Sequence, residues 1–438
     1  MNRLSASLGL LSLTVLAACG PKPIDPHKQV GPNPYLPAIH QYLLPPMAVS
    51  KVVGWQGAVP TVPAGMKVAA LASGLKSPRS LYVLPNGDVL IAESGGPPPP
   101  APNRPKEFIM GLLEKKSHPA GEPGQRITLV RMDASGAPIL RTVLIDHLTS
   151  PFGMVLVGSD LYVADTDAVL RFPYQTGQTR ITEPGVKLTE LPGGPIDHHW
   201  TKSLTASPDG TKLYAGVGSN SNITENGIQA EKDRAAVWEI DRATGAHRLY
   251  ATGLRNPNGL TFEPTTHVLW AVVNERDELG PDLVPDYLTS VKDGAFYGWP
   301  WSYWGQHVDP RVMPQNPTMV AKAIMPDYSL SSHVAPLGLV FSTGASLPAA
   351  YRGGAFVGEH GSWDRFPLNG YKVVYIPFAG GRPNGAAQDV VTGFATAKNE
   401  ARGRPVGLAM DNGGGLLIAD DVGGTVWRVT GAQAVASR

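Results

Sequence analysis

Positively charged side chains recur in short turns of this chain, in a pattern that suits the binding of an anion. One turn carries Arg255 beside Asn256, and another has two arginines spaced by one residue, Arg402 and Arg404. The planar guanidinium group binds carboxylates through two parallel hydrogen bonds. If the fold brings these turns together, they predict a partner with several carboxylates, such as an acidic cofactor.

A histidine in a third turn could perform acid–base chemistry beside these arginines. The turn spans residues 197–202 and reads Asp-His-His-Trp-Thr-Lys. A histidine within reach of a substrate hydroxyl can act as a general base. Lys202 adds a further positive charge to the predicted cluster.

These turns belong to a motif that repeats along the chain: a Pro-x-Gly-Leu or Pro-x-Gly-Met turn, an apolar strand, a polar turn and a second strand. The intervals of about 50 to 80 residues suit a four-stranded blade. We therefore predict an all-β fold, a six-bladed β-propeller of four-stranded antiparallel blades. In a propeller the first strand of each blade lines the central channel, so the six turns would meet at one mouth. Four close copies begin at Pro151, Pro257, Pro336 and Pro405, and two looser copies begin at Pro78 and Thr201.

Composition agrees with a turn-rich β-fold and excludes other classes. The 438 residues include 50 Gly and 42 Pro, and only 17% are charged. Hydrophobic residues make up 42%, too many for a disordered chain. Glycine has no three-residue period, which excludes collagen, and so many helix breakers exclude a helical repeat protein. A net charge of +1 argues against a nucleic-acid-binding protein.

The N-terminal residues are typical of a bacterial lipoprotein. An apolar stretch too short to span a bilayer ends in Leu-Ala-Ala-Cys at Cys19, the only Cys of the chain. We predict a lipoprotein signal peptide at 1–18, a lipidated Cys19 with a Pro-rich tether at 19–60, and the propeller at 61–438. An ordinary signal peptide is the alternative. The expected location is the periplasmic side of the outer membrane, with the lipid anchor as the only membrane contact.

Two segments interrupt the repeat and are predicted to be long loops. The first runs from Ser94 to about Arg126 and contains the amphipathic sequence KEFIMGLLEKK, which predicts a short helix. The second runs from Gly280 to about Asp327 and holds three tryptophans between residues 299 and 304. Those aromatic rings could stack against a sugar, or they could only cap their blade.

The chain resembles the soluble pyrroloquinoline quinone (PQQ)-dependent sugar dehydrogenases, and most closely their sorbosone-dehydrogenase-like branch. The resemblance extends over roughly residues 65 to 430. It implies oxidation of an aldose or a sorbosone-type sugar by hydride transfer to PQQ, with Ca²⁺ as a second cofactor. It is carried by GLRNPNGLTF at 253–262, DGAFYGWP at 293–300, HWTKSLTASPDG at 199–210 and RGRPVGLAMD at 402–411.

The resemblance makes His199 the catalytic base, with His198 as the alternative one residue away. The family orients its catalytic histidine with an acid at the end of the next strand, but this chain has Ser219 there. Asp197 or Asp165 could take over that function, or the base could work without an acid.

For PQQ the resemblance implies a set of polar side chains from several blades. A basic residue of the family on the fifth blade has no clean match here, and Arg365 or His360 could replace it. The other implied PQQ-binding residues are Arg255, Asn256, Asn258, Arg402 and Arg404.

The implied Ca²⁺ would be held by the backbone carbonyls of Gly280 and Pro281, because calcium readily accepts such oxygen ligands. The acidic residues that flank this pair could add ligands or only solvate the loop. They are Asp277, Glu278, Asp282 and Asp286.

Two other functions remain compatible with a six-bladed propeller. One is a calcium-dependent lactonase-like hydrolase, although such enzymes normally surround their metal with acidic or amide side chains. The other is a non-catalytic propeller lipoprotein that binds a sugar or a quinone. For the dehydrogenase, the chain contains no Cys-x-x-Cys-His haem motif, so electrons would leave through a separate acceptor, a quinone or a cytochrome.

Overall fold

A computed structural model describes residues 24–40, 49–98, 123–363 and 365–432. Three predicted features lie outside the described residues: the signal peptide at 1–18, the lipidated Cys19, and the helix expected at 106–116. Within the described ranges, no helix has the length and apolar character needed to cross a membrane.

Seven antiparallel sheets form among the described residues; six are the blades of a six-bladed β-propeller, which confirms the predicted fold class, and the seventh is a two-stranded hairpin in a loop. Two strands precede the first blade: β1 (Val30–Gly31) and β2 (Met66–Ser73). Blade 1 contains β3 (Pro78–Val83), β4 (Val89–Glu93), β5 (Arg126–Met132) and β6 (Pro138–Ile145). Blade 2 contains β7 (Met154–Val157), β8 (Asp160–Ala164), β9 (Ala168–Pro173) and β10 (Val186–Glu190). Blade 3 contains β11 (Leu204–Ala206), β12 (Lys212–Val217), β13 (Ala236–Asp241) and β14 (His247–Thr252).

The second half of the ring is less regular. Blade 4 contains β15 (Pro257–Phe262), β16 (Leu269–Val273) and β17 (Pro285–Ser290), and, after a long loop, β20 (Tyr328–Ser332). That loop holds the hairpin of β18 (Ser302–Tyr303) and β19 (His307–Val308) and the short helix α1 (Pro317–Lys322). Blade 5 contains β21 (Pro336–Phe341), β22 (Gly354–Glu359), β23 (Lys372–Ala379), β24 (Arg382–Pro383) and β25 (Gln388–Val391). Blade 6 contains β26 (Pro405–Met410), β27 (Leu416–Asp420) and β28 (Thr425–Gly431).

The ring is closed by a strand from the other end of the chain. Strand β2 pairs antiparallel with β28 and completes blade 6, with Val68 opposite Val429. This pairing joins the first and last parts of the propeller and covers the backbone edge of β28.

Each copy of the repeated motif begins the inner strand of one blade, as predicted. The middle residue of the turn points towards the axis of the ring. Phe152, Leu337 and Val406 come from blades 2, 5 and 6 and form one buried apolar cluster, which is possible only where the inner strands converge. The channel is therefore filled by side chains at this level.

The motif glycine permits close contact between neighbouring inner strands. A Cβ atom on Gly407 of β26 would lie 2.7 Å from the carbonyl oxygen of Arg79 and 2.8 Å from the Cα of Ser80, on β3. Backbone atoms at that distance leave no room for a side chain. The seam between blades 6 and 1 therefore requires glycine at this position.

Between blades, apolar side chains form the core. Trp270 and Leu288 of blade 4 pack with Phe341 and Ile376 of blade 5 in one cluster. Burial of such side chains contributes about 1.5–3 kcal/mol each.

The described part of the predicted tether packs on the propeller. Strand β1 pairs with β20 and becomes a fifth strand of blade 4. The indole Nε1 of Trp55 donates to Asp420 at 2.6 Å, and Thr61 bridges to Thr392. Residues of the predicted tether, among them Val30 and Trp55, therefore have partners on the propeller.

The tryptophan-rich loop covers blade 4. Trp299 and Trp304 are each only 4% exposed, and Trp304 packs in the apolar cluster of that blade. The Trp299 indole donates to the carbonyl of Asn222 at 3.0 Å. These two rings are used in packing, in agreement with the capping alternative.

Candidate functional site

The predicted base, His199, has a defined orientation at the mouth of the channel. Its Nδ1 lies 2.9 Å from the backbone oxygen of Ser219 and 3.0 Å from the Ser219 hydroxyl. A carbonyl only accepts hydrogen bonds, so Nδ1 carries the proton. Among the described residues none is hydrogen-bonded to Nε2, which is therefore left as the basic nitrogen.

The electrostatic surroundings keep His199 neutral. Burial, followed by the nearby Arg255 guanidinium and His198, holds the pKa of His199 well below its usual range. A neutral imidazole with its lone pair on Nε2 can accept a proton from a bound hydroxyl group. His198 is exposed, and its ring stands at 87° to that of His199 with centroids 4.6 Å apart.

Neither acid considered for orienting the base contacts it. Asp197 accepts from Lys202 Nζ at 3.1 Å and from Arg234 at 2.7 Å. Asp165 accepts from the backbone N–H of Thr149, and burial raises its pKa to about 7. Ser219 occupies the orienting position instead.

Lys202 fixes the turn that carries His199. Its ammonium group is completely buried and donates to the carbonyl oxygens of His199 and Trp200 at 3.2 and 3.1 Å, besides its contact with Asp197. Desolvation lowers the pKa of Lys202 to about 8, against the opposing attraction of Asp197. Lys202, which was predicted to add positive charge at the channel mouth, therefore stabilises the backbone of the turn that carries His199.

Next to this turn lies a group of basic side chains from three blades, Arg79, His360 and Arg404, here called the cationic cluster. Arg79 Nη1 and His360 Nε2 both contact Asp421 Oδ2, at 2.5 and 3.0 Å. The Arg79 guanidinium stacks 5.3 Å from the Trp200 ring, which connects the cluster to the His199 turn. Burial, partly offset by Asp421, lowers the pKa of His360 to about 4, so this ring is neutral.

Arg404 is held beside this pair. Its guanidinium lies 5.6 Å from the centroid of the Tyr371 ring, and Nη2 donates to the Ser50 hydroxyl at 2.9 Å. Its Nε, and the Nε of Arg79, are buried and have no hydrogen-bond partner. Buried donors of this kind are costly to leave unpaired, by about 1–3 kcal/mol each, and an anionic ligand would satisfy them.

Asn256 lies between the base and blade 4. A Cβ atom on Gly218 would lie 2.5 Å from Asn256 Oδ1 and would also contact His199 Cβ, so glycine is required between the two side chains. Asn256 Oδ1 is buried without a partner. Asn258 is fully buried, accepts from the Thr201 hydroxyl at 3.0 Å and lies on the inner strand.

Arg255 is close to His199 but is saturated by protein acceptors. Its Nη1 donates to the carbonyls of Asn274 and Glu275, and its Nη2 contacts Asn222 Oδ1 and Asp277 Oδ2 at 3.0 and 3.3 Å. Its Nε donates to the Asn222 carbonyl. In this arrangement Arg255 connects blades 3 and 4 and acts on the site through its charge.

The two remaining predicted arginines lie in different surroundings. Arg402 is half-buried and donates to the carbonyl of Gly393 at 3.3 Å. Arg365 is buried and contacts Pro281, Asp282 and Ile24. Of the two candidates on blade 5, the structure places His360, rather than Arg365, with Arg79 and Arg404.

The residues of the channel mouth fit PQQ, a planar quinone with several carboxylates. The test is the set of orphaned buried atoms: the donors Arg79 Nε and Arg404 Nε and the acceptor Asn256 Oδ1. Arginine donors suit carboxylates and quinone oxygens. The cationic cluster and Asn256 would hold the cofactor, with His199 beside it.

The predicted calcium ligands do not fit Ca²⁺ as they stand. The Gly280 oxygen accepts from His333 Nε2 at 3.1 Å, and the Pro281 oxygen accepts from Arg365 Nε at 3.0 Å. A guanidinium against one carbonyl opposes a divalent cation by like charge. In the described part of the chain, no group of three or more His, Cys, Asp or Glu side chains is arranged to hold a metal ion.

Two residues at the cationic cluster, Arg79 and Asp421, are not among the site residues predicted from the sequence. Arg79 follows the proline of the first motif copy, Pro-Arg-Ser-Leu, and the residues at that position in blades 2, 5 and 6 converge at the axis. The motif position is therefore the sequence signal that identifies Arg79 as a residue of the channel mouth. Asp421 follows the end of β27 and had no distinguishing pattern, since its contacts to Arg79 and His360 are 342 and 61 residues distant.

Comparison with known proteins identifies relatives of this chain and of its fold. Residues 159–362 match the family model described as Glucose / Sorbosone dehydrogenase, and residues 307–432 match a model described as TrAA12-like. An uncharacterised protein of Borreliella burgdorferi is 28% identical over 241 residues, which are 55% of this chain and 62% of that protein.

A pyrroloquinoline quinone-dependent pyranose dehydrogenase of Coprinopsis cinerea is 23% identical over 426 residues. The alignment covers 83% of this chain and 53% of that protein, so the chain spans about half the length of this relative. The holo form of the PQQ domain of pyranose dehydrogenase from the same organism superposes with a TM-score of 0.69 at 21% identity, over 85% of this chain and 97% of the domain. The predicted resemblance to PQQ-dependent sugar dehydrogenases is thereby confirmed.

Proposed function

We propose that this chain, a propeller with the glucose/sorbosone dehydrogenase signature, is a PQQ-dependent dehydrogenase of an aldose or a sorbosone-type sugar. The observation that carries the proposal is the channel mouth. There a neutral histidine with an available Nε2 adjoins Asn256 and neighbours a cationic cluster whose buried donors are unpaired.

Some residues of the site bind the cofactor, and His199 transfers the proton. Arg79 and Arg404 neutralise the carboxylates of the cofactor, and Asn256 accepts one hydrogen bond from it. When bound, PQQ supplies a carbonyl carbon that accepts a hydride from the sugar. His199 Nε2 takes the proton of the sugar hydroxyl.

The proposed activity includes a requirement for Ca²⁺, which the assay below measures. No step of the mechanism depends on the ion. Ca²⁺ at the Gly280–Pro281 carbonyls would have to displace Arg365 from Pro281. The cationic side chains at the mouth favour an acidic cofactor over the lactonase-like alternative. A lactone hydrolysis assay separates the two activities.

The test is a titration of cofactor-free protein with PQQ, with and without Ca²⁺, followed by dye reduction with a panel of aldoses and sorbosone. We expect binding by the wild type and by His199→Gln, and turnover by the wild type only. Binding by both proteins with turnover by neither would support the non-catalytic alternative. Absence of binding and of dye reduction in the wild type refutes the proposal.

The proposed location is the periplasmic side of the outer membrane, through lipidation of Cys19, and the proposed electron acceptor is a separate quinone or cytochrome. Both rest on the sequence. Labelling of Cys19 by a radioactive fatty acid in cells, lost in Cys19→Ser, tests the anchor.

A further inference from the structure

The imidazole of His199 is oriented by Ser219 rather than by a carboxylate. Three groups of Ser219 make the hydrogen bonds that fix this arrangement. The backbone oxygen and the hydroxyl both lie within 3.0 Å of Nδ1, and the backbone N–H donates to the carbonyl of Arg255 at 2.8 Å. Ser219 itself is fully buried.

The single proton of the Ser219 hydroxyl is already committed. It is donated to the carbonyl of Ser221 at 2.6 Å. The hydroxyl oxygen therefore has only lone pairs to offer to His199, as does the backbone oxygen. Two acceptors on one side of the ring force the proton onto Nδ1 and leave the lone pair on Nε2.

We infer that Ser219 is the positioning residue of the base, and that it fixes the Nδ1–H tautomer of His199 through two neutral acceptors in place of a carboxylate. The inference rests on the proposed function and specifies how its base is held. In the reaction the hydride goes from the sugar carbon to PQQ, and the hydroxyl proton goes to Nε2. The Nδ1 proton stays on the ring and remains hydrogen-bonded to Ser219, so the ring is an imidazolium until solvent removes the proton from Nε2.

The two neutral acceptors of Ser219 leave His199 without a counter-ion, and positive groups surround the ring. Arg255, His198 and Lys202 all act against a positive charge on His199. A carboxylate at Nδ1 would stabilise the imidazolium and raise the pKa of the ring, typically by one to three units for a charge this close. With neutral acceptors, His199 stays unprotonated well into the acidic range.

Three variants and one control test the inference. Ser219→Ala removes the hydroxyl but keeps the carbonyl, Ser219→Thr keeps both, and Ser219→Asp introduces a carboxylate. Ser221→Ala is the matched control: it is a buried serine in the same turn, and its hydroxyl donates to Glu231 rather than to the ring.

The first measurement is the ¹⁵N NMR spectrum of the imidazole of cofactor-free protein between pH 4 and 9, assigned with His199→Gln. We expect the Nδ1–H tautomer in the wild type and in Ser221→Ala. In Ser219→Asp we expect a pKa raised by about one to three units. An Nε2–H tautomer in the wild type overturns the inference. This readout needs no turnover, so it separates failure of the inference from failure of the proposed function.

The second measurement is the pH profile of kcat and KM with PQQ. Loss of one hydrogen bond in Ser219→Ala is expected to lower kcat about 3- to 10-fold with little change in KM, and Ser219→Thr is expected to restore it. In Ser219→Asp the acidic limb of kcat/KM moves to higher pH. Equal kcat in Ser219→Ala and Ser221→Ala overturns the assignment, and should Ser219→Asp not fold, the alanine and threonine pair still decides.

Discussion

Substitution of Arg404 tests the cationic cluster most directly. In cofactor-free protein its Nε is buried and unpaired, while Nη2 is bonded to Ser50. A hydrogen bond to a charged group contributes about 1.5–3 kcal/mol, so each bond to PQQ that Arg404→Met removes weakens binding roughly 10- to 150-fold. The lost Ser50 contact should reduce the free energy of unfolding by only about 1 kcal/mol.

The assay is a titration of cofactor-free Arg404→Met with PQQ, monitored by absorbance, with thermal unfolding as a check on folding. Arg382→Met is the control, because it removes the same charge from a side chain that is 70% exposed on blade 5. We expect this control to bind like the wild type. Equal Kd values for Arg404→Met, Arg382→Met and the wild type would refute the assignment of PQQ to the cationic cluster.

Three further predictions concern the seam, the buried acids and the calcium ligands. Gly407→Ala would press a Cβ atom against Arg79 and should lower the free energy of unfolding by about 3 kcal/mol or more. Gly194→Ala, which has open space, is the control in denaturant unfolding, and equal stability would contradict the close-packed seam. Burial raises the pKa of Glu359 from 4.5 to about 8, so between these pH values the folded protein keeps a proton that the unfolded chain has already lost. Stability should fall across that range, and Glu359→Gln should gain roughly 1–3 kcal/mol over the wild type at pH 8 but little at pH 5; a gain that does not depend on pH would show that Glu359 is ionised in the fold. Finally, Arg365→Met frees the Pro281 carbonyl and should bind Ca²⁺ at least about 10-fold more tightly than the wild type in calorimetry, whereas unchanged affinity would exclude this loop as a calcium site.

The propeller could be predicted because its signal is local and repeated. Each copy of the motif, four close and two looser, marks within four residues where an inner strand begins. Six copies therefore predict six blades. The closing pair could not be predicted in this way. Strand β2 lies more than 350 residues from β28 in the chain and carries no motif, so its partner is determined only by the geometry of the closed ring.

The same distinction applies to the base. Its type and position could be predicted, because His199 lies at a fixed distance from its motif. Its hydrogen-bond partner could not, because a backbone carbonyl has no signature in a sequence. The sequence therefore predicts Asp197, Asp165 or no acid as the partner of His199, whereas in the fold Asp197 pairs with Lys202 and Arg234.

The basic residues of blade 5 show why side-chain identity alone does not locate a binding site. His360 and Arg365 are five residues apart, and arginine is the better partner for a carboxylate on chemical grounds. Yet His360 follows β22 directly, at the channel end of that strand, where the rigid blade directs it to Asp421 at 3.0 Å. Arg365 lies farther along the loop, and its guanidinium is bonded to Asp282 at 2.8 Å. The charge of Arg365 is thus balanced one to one by the buried carboxylate of Asp282, which leaves no excess positive charge there for a second anion to neutralise. Within the cationic cluster, by contrast, the two positive charges of Arg79 and Arg404 face the single carboxylate of Asp421, because His360 is neutral and the Arg404 guanidinium has only neutral partners. Positive charge therefore exceeds negative charge at the mouth of the channel, and this local excess is what an acidic quinone would neutralise.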